Sequence, residues 1–432
     1  MKNVGGKTSW IPKGHSVSWL MLLIGTLSML LISIDRQILP TVLPAIMKEF
    51  HLNSTMGGLI SSLNFIGTFI GAAFIGIIAD SIGRGYKRIF AWGGSCLLAI
   101  VSGFATFLTH SLFSLEFWRV IMGLSTGAME PANVALVSDF WQKENRGFAL
   151  GVNQTGMPIG QFVGPAVLSL ILLHGSWRDA FLWIPAIGII VILLQFVVGN
   201  KRNEQKMRTW VQKHKLTQPY TEEMISEKRS FKETLKDLTI TLRNRNVLLA
   251  TIIDFLFLWT EMGVATFLTL RFTNNLGLSI SVAALISGAS GITGWLGQIV
   301  WGTVSDALGR KFSIGIITVG FAASVIGCIF ITSQITGWII LIIWGLFRNS
   351  PYAVINSIAV DSTPKQAGSS LGLLIGIGYG LSGALVSPVI GFIIDKWGWT
   401  ANYIFLTISV LLVFIPLHFI HETAGTLVQD NK

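Results

Sequence analysis

Seven ionisable side chains lie deep inside apolar stretches of the chain: Asp35 and Arg36, Arg119 and Glu130, Asp254 and Glu261, and Arg348. At the centre of a bilayer each costs at least about 2.5 kcal/mol on insertion scales, so seven together argue for a polar cavity. The competing reading is a set of ion pairs that brace helix packing, and it is strongest for Asp254, near the end of its stretch. Two kinds of chemistry suit these residues. A guanidinium presents a planar fork of donors that grips a carboxylate, sulfonate or phosphate bidentately, and a carboxylate withdrawn from water can load and release a proton. Asn64, Gln154, Gln298 and Asn349 offer hydrogen bonds in the same stretches, with helix-to-helix adhesion as their other use. Among the aromatic residues Trp118, Trp259, Trp295, Trp344 and Tyr379, the last is the best stacking candidate, because Gly376, Gly378 and Gly380 leave room around it. His418 and His421 lack a third ligand, so no metal site is expected. Neither a Gly-x4-Gly-Lys-Ser/Thr loop nor a serine or cysteine triad is present, which leaves no cofactor and no enzymatic chemistry to expect. Energy must then come from an ion gradient or from exchange.

The elements that position these groups follow from composition. Of 432 residues 51% are hydrophobic and 12% charged, against roughly 25% charged in soluble domains. Twelve apolar runs lie between residues 17 and 420, each near the ~20 residues of a helical crossing. They are continuous where a membrane β-barrel would alternate, and no polar stretch is long enough for a soluble catalytic domain. An all-α membrane protein of twelve transmembrane helices is expected. Six runs precede and six follow a polar gap, which divides the chain into a bundle at 1–199, a linker at 200–245 and a bundle at 246–432. The linker carries 12 Lys/Arg against 6 Asp/Glu, +6 of the formal +10. Counting alternate loops places 24 Lys/Arg on the linker side and four on the other, so both termini should be cytoplasmic. The basic balance is thereby topological, with no nucleic-acid partner implied. Lys2, Lys7 and Lys13 precede an uncleaved first span. Phe231, Leu235, Leu238 and Leu242 recur at helical spacing and predict an amphipathic helix on the inner bilayer surface. Cys96 and Cys328, each within an apolar run, read as buried small side chains.

The chain also repeats itself. Gly76-Ile-Ile-Ala-Asp80-Ser-Ile-Gly83-Arg84 recurs as Gly302-Thr-Val-Ser-Asp306-Ala-Leu-Gly309-Arg310, while Gly123, Asp139 and Trp177 recur as Gly345, Asp361 and Trp399. Two copies of a six-span unit imply a substrate site between them near the bilayer midplane. In the repeated motif the glycines permit close approach of helix ends, and the Asp and Arg can pair across a mouth.

The doubled motif, the six-plus-six spans and the basic linker resemble the major facilitator superfamily over residues 15–422. The resemblance implies a secondary active transporter working by alternating access. It implies a cytoplasmic gate made by Asp80, Gly83 and Arg84 with Asp139 and Arg146, and by Asp306, Gly309 and Arg310 in the second copy. Spans one, four, seven and ten line the cavity in that family, so Arg36, Arg119 and Arg348 are expected to converge there on an anionic substrate, with Tyr379, Asn64, Gln154, Gln298 and Asn349 around it. Asp35, Glu130, Glu261 and Asp254 become the candidates for proton coupling. Asp35-Arg36, Arg119-x3-Gly123 and Glu130-Pro131-Ala132-Asn133 resemble the organic anion/cation symporter branch, which moves sugar acids, hexuronates and small carboxylates with protons. Thr126 stands where that branch has a coupling glutamate, which shifts weight to Asp35. The expectation is proton-coupled uptake of a small organic anion by a monomer in a bacterial inner membrane. Gly160-x3-Gly164-Pro165 partly resembles the antiporter motif of drug exporters, so proton-driven efflux is the first alternative. A transporter-like sensor is the second.

Overall fold

The computed structural model describes residues 12–220, 239–363 and 367–423, with the backbone alone at 73–81 and 367–369. Phe231, Leu235 and Leu238 of the expected amphipathic helix lie outside the described residues. Eleven helical stretches are long and apolar enough to cross a bilayer. The last, Ser370–Phe419, is two spans, because the helix breaks at Gly398, whose φ of 78° only glycine adopts without strain. Before the break Asp395 meets the start of span two. After it the chain returns until the His421 amide donates to Asn246 at the start of span seven. The result is two bundles of six. We call the side carrying the linker helix Lys201–Lys213 the linker face and the other the far face.

Glycines stitch the bundles internally. Gly67 and Gly71 of span two (Ser54–Ile82) lie against the backbone carbonyls of Val120 and Leu124 in span four (Leu112–Asp139), while Gly123 and Gly127 lie reciprocally against those of Asn64 and Thr68. The second half repeats the device, Gly297 meeting the Leu346 carbonyl and Gly345 that of Ser290. Small residues four apart let two helix backbones touch, which is how spans associate where lipid gives no hydrophobic drive. The outer faces are apolar: Ile190, Leu193 and Val197 of span six are each at least 60% exposed, as lipid-facing residues at helical spacing should be. Cys96 and Cys328 are buried and unpaired. Gly83 and Gly309 end spans two and eight with φ of 112° and 101°, the physical reason for the last glycine of the repeated motif.

Several spans are interrupted near mid-membrane. Span five is Arg146–Gln154 followed by Gly156–His174, span ten is Gln334–Arg348 followed by Ser350–Ser362, and span eleven widens into a π-helical stretch at Leu374–Leu381. Spans five and eleven correspond in the repeat, and both loosen at the same depth. Such interruptions mark functional positions, since the backbone is left less regular than an unbroken helix would make it.

On the far face the halves are closed against each other. The Asp395 carboxylate accepts from the Ser54 and Thr55 amides at 3.0 and 2.8 Å, an acid at a helix N-terminus. Ser169 of span five and Ser281 of span eight join their hydroxyls at 2.8 Å. Gly123→Val should drive a side chain into the Asn64 carbonyl and cost about 1–3 kcal/mol. Its thermal unfolding in detergent is expected several degrees below wild type, and an unchanged transition would show that the two spans can separate freely.

Candidate functional site

Span one (Ser16–Glu49) carries Asp35 and Arg36 on adjacent positions, which a helix turns about 100° apart, so the two side chains enter different compartments. Arg36 faces a cavity of about 270 Å³ between the bundles, walled by spans one, two, four, five, seven, eight, ten and eleven. Its Nη2 donates to Glu130 Oε2 at 2.8 Å, and its guanidinium lies 4.4 Å over the ring of Tyr379. The Arg36 Nε is buried with no hydrogen-bond partner. Across the cavity Arg348 Nε donates to Glu261 Oε1 at 2.8 Å and its Nη1 to Ser290 Oγ at 2.7 Å, while the Tyr352 hydroxyl donates to Glu261 Oε2. Two ion pairs therefore face one chamber with their polarity exchanged: arginine on span one and glutamate on span four, then glutamate on span seven (Arg245–Leu276) and arginine on span ten. They differ in access. Arg36 and Glu130 are 12% and 15% exposed, Arg348 and Glu261 4% and 3%. The first pair is open to a solute and the second is a dry strut.

Gln161 and Asn349 exchange two hydrogen bonds across the seam, at 2.7 and 3.3 Å. Gln154, Gln298 and Asp254 also line the cavity. Asn356, exposed on the linker side of Arg348, lies at its mouth. The chamber is thus shut toward the far face and reached from the linker face.

The Major Facilitator Superfamily model matches residues 25–272 and 247–431. The chain belongs to that family. The gentisate transporter of Corynebacterium glutamicum is 26% identical over 95% of this chain and 89% of its own length. The gallate transporter of Pseudomonas putida is 23% identical over 70% and 68%. Among solved structures the xylose transporter of E. coli, in a partially occluded inward-open form, superposes with a TM-score of 0.70 at 14% identity, covering 95% of this chain and 99% of that one. The two-bundle fold of that family is shown, and with transporters as homologues the chain is a multi-pass transporter of a bacterial inner membrane and not an enzyme.

The transporter departs from expectation at Arg119. This arginine does not join Arg36 and Arg348. It is 1% exposed inside the first bundle, where Nη2 donates to Thr106 Oγ1 at 2.8 Å and the guanidinium lies 4.3 Å over Phe181. The reason is depth: Arg119 is near the far end of span four, where the bundle is closed. Asn64 is likewise absent from the cavity lining, and its side chain donates to the Arg119 carbonyl as helix-to-helix adhesion. Asp35 borders a separate apolar pocket of about 50 Å³ between spans one, three, four and six, within electrostatic reach of Arg119. Gly160 packs against Ser33 and Gly164 against Ile34, so the glycines of span five serve close contact with span one. Sequence reasoning left Tyr352 and Asn356 out, though Arg348, Tyr352 and Asn356 follow one another at spacings of four, a single helical face.

At the linker face of the transporter Asp139 accepts from the Gly85 amide at 2.8 Å and pairs with Arg88 at 2.9 Å. Arg84 belongs to the same cluster, and the Asp80 side chain is outside the described residues. Arg146 donates to the Pro219 carbonyl of the linker at 2.6 Å, because residues 217–220 lie across this mouth. In the second copy Arg310 pairs with Asp306 at 2.5 Å and reaches Asp361 at 3.6 Å. Linker residue Glu204 accepts from the Tyr86 amide and from the Tyr220 hydroxyl, and burial holds its carboxyl above the usual glutamate range. Cysteines placed at Gln154 and Asn356 should react with a water-soluble maleimide, while one at Asn64 should stay protected. Equal labelling at all three positions would contradict the cavity boundary.

Proposed function

We propose that this transporter takes up a small organic acid together with a proton, using Arg36 as the carboxylate anchor and Glu130 as the group that senses the proton. The observation that carries the reading is the shared guanidinium. Arg36 is held on one side by Glu130 and keeps a buried donor without a partner, so a cargo carboxylate entering the cavity competes with Glu130 for the same fork. Protonation of Glu130 removes its claim, and Arg36 turns to the cargo. Deprotonation restores the internal pair and ejects the anion. Proton and anion therefore favour each other's binding, which is the thermodynamic content of symport. Relatives named for gallate and gentisate support an aromatic carboxylate, and the Phe65 and Tyr379 rings, edge to face at 5.5 Å, supply a wall for one.

Within this proposal the linker face is cytoplasmic, as the excess of basic residues there requires, and residues 1–199 and 246–432 move as units about the 200–245 linker. The Asp139 and Arg310 clusters, with Gly83, Arg84 and Gly309 beside them, form the gate on that side. The packing role of Gly160 and Gly164 leaves the efflux reading without a structural observation in its favour.

In proteoliposomes, addition of a transported carboxylate should alkalinise the external medium. Export against an inward proton gradient would reverse the assignment. Arg36→Ala should abolish binding in a folded protein. Wild-type affinity should rise as pH falls, by about ten-fold per unit at most for one linked proton. Glu130→Gln, which cannot compete for Arg36, should bind tightly and with little dependence on pH, and a preserved pH slope would remove Glu130 from the coupling. Asp35→Asn should leave pH-driven accumulation and counterflow exchange in place, because Asp35 lies outside the cavity; loss of accumulation alone would move the proton site to Asp35. Loss of both would mark the Asp35 and Arg119 pocket as structural.

A further inference from the structure

The charges of the cavity do not sum to zero. Arg36 is matched by Glu130 and Arg348 by Glu261, which leaves Asp254 over. This carboxylate is 4% exposed and has no hydrogen bond or ion pair among the described residues, and Glu261, two turns along the same helix face, bears charge of the same sign. It packs directly against Gly378, where any Cβ would collide with it, while the Arg36 guanidinium lies over the ring of the next residue, Tyr379. An unmatched buried acid on span seven and an under-used buried cation on span one thus flank one stretch of span eleven, Gly378–Tyr379. A carboxylate out of water either takes up a proton or is matched by an opposite charge.

From this we propose that the cargo is zwitterionic: a carboxylate seated on Arg36 and a protonated nitrogen seated on Asp254, with the Tyr379 ring between them. The inference rests on the organic-acid reading above and narrows it. The ledger favours it over a plain anion. With the cargo carboxylate on Arg36 and one proton on Glu130, an anion leaves Asp254 uncompensated in the closed chamber, whereas an amine-bearing acid neutralises it. A plain anion reaches the same balance only by bringing a second proton to Asp254.

Two pairs of probes separate these cases: 4-methylbenzoate against 4-(aminomethyl)benzoate, and hexanoate against 6-aminohexanoate, each titrated calorimetrically into the full-length transporter in lipid nanodiscs. The amine-bearing member of at least one pair should bind about ten-fold or more tighter, the scale of a close charge pair shielded from water. In Asp254→Asn that preference should shrink to about two-fold or less while the amine-free member binds as well as before or tighter, which also shows that the variant is folded. If the amine-free acids bind as well as or better than their partners in the wild type, or the preference survives in Asp254→Asn, the zwitterion proposal falls and the organic-acid reading stands. If neither member of either pair binds, the organic-acid reading fails and takes this proposal with it.

Discussion

A charged side chain in the middle of a membrane must be neutralised where it stands, and the interior of this protein is arranged around that constraint. Arg36 with Glu130 and Arg348 with Glu261 each tie the first and fourth spans of one half together, with acid and base exchanged between the halves. Removing one member of a buried pair costs about 3–5 kcal/mol because the other is stranded. A solute that displaces a member must bring equivalent charge with it. The dry pair, anchored further by Ser290 and Tyr352, resists such exchange, while the wetter pair on the first half admits it. Exposure is what distinguishes two otherwise matched pairs, and the proposed binding site rests on it.

The rest of the fold keeps each bundle rigid and closes the seam between them on the far face. Spans two and four interlock through glycines pressed on opposing carbonyls, contacts that leave no room for sliding. The far-face closure repeats this device, Gly58 lying against the Ser387 carbonyl and Gly391 against that of Ser54, and adds an aspartate on two amides and a pair of serine hydroxyls. Hydrogen bonds of this type contribute about 0.5–1.5 kcal/mol each. These bonds are the smaller part of the joint, added to the close packing of spans two and eleven. Interruptions in spans five, ten and eleven sit beside the chamber, where a helix that bends locally lets the wall move while the bundle holds.

How much of this was legible in the sequence depends on the length scale of the signal. Spans were legible because about twenty apolar residues in a row have few other uses, and the doubling was legible because Gly83 and Gly309 answer the same backbone demand at equivalent helix ends. The site was legible only in part. Arg36, Glu130, Glu261 and Arg348 are charges that burial singles out, yet the same argument drew in Arg119, which shares the face of Glu130 and lies three turns away along the axis. Periodicity reports the face of a helix and is silent about depth. The separation of Asp35 from Arg36 was only half available from the helical repeat, since the turn of about 100° between neighbours divides these two yet leaves Arg36 and Gln37 in one cavity. The interruption of span ten at Asn349 was available as well, since Pro351 has no amide to donate to the Phe347 carbonyl.

Under the proposed symport of a zwitterionic cargo, coupling need not involve a conformational relay. Closing the cavity removes water from every charge in it, so the free-energy cost of occlusion tracks the number left unmatched. Empty, with Arg36 on Glu130 and Asp254 ionised, the chamber would carry a single surplus charge at Asp254. An anion alone raises the surplus to two and opposes closure. The same anion with a proton on Glu130 restores the empty count, and a cargo that also offers a cation to Asp254 lowers the count to zero. The fully matched complex is then the one the protein can carry through the occluded state at least cost, and both the proton requirement and the preference for cargo follow from one electrostatic sum.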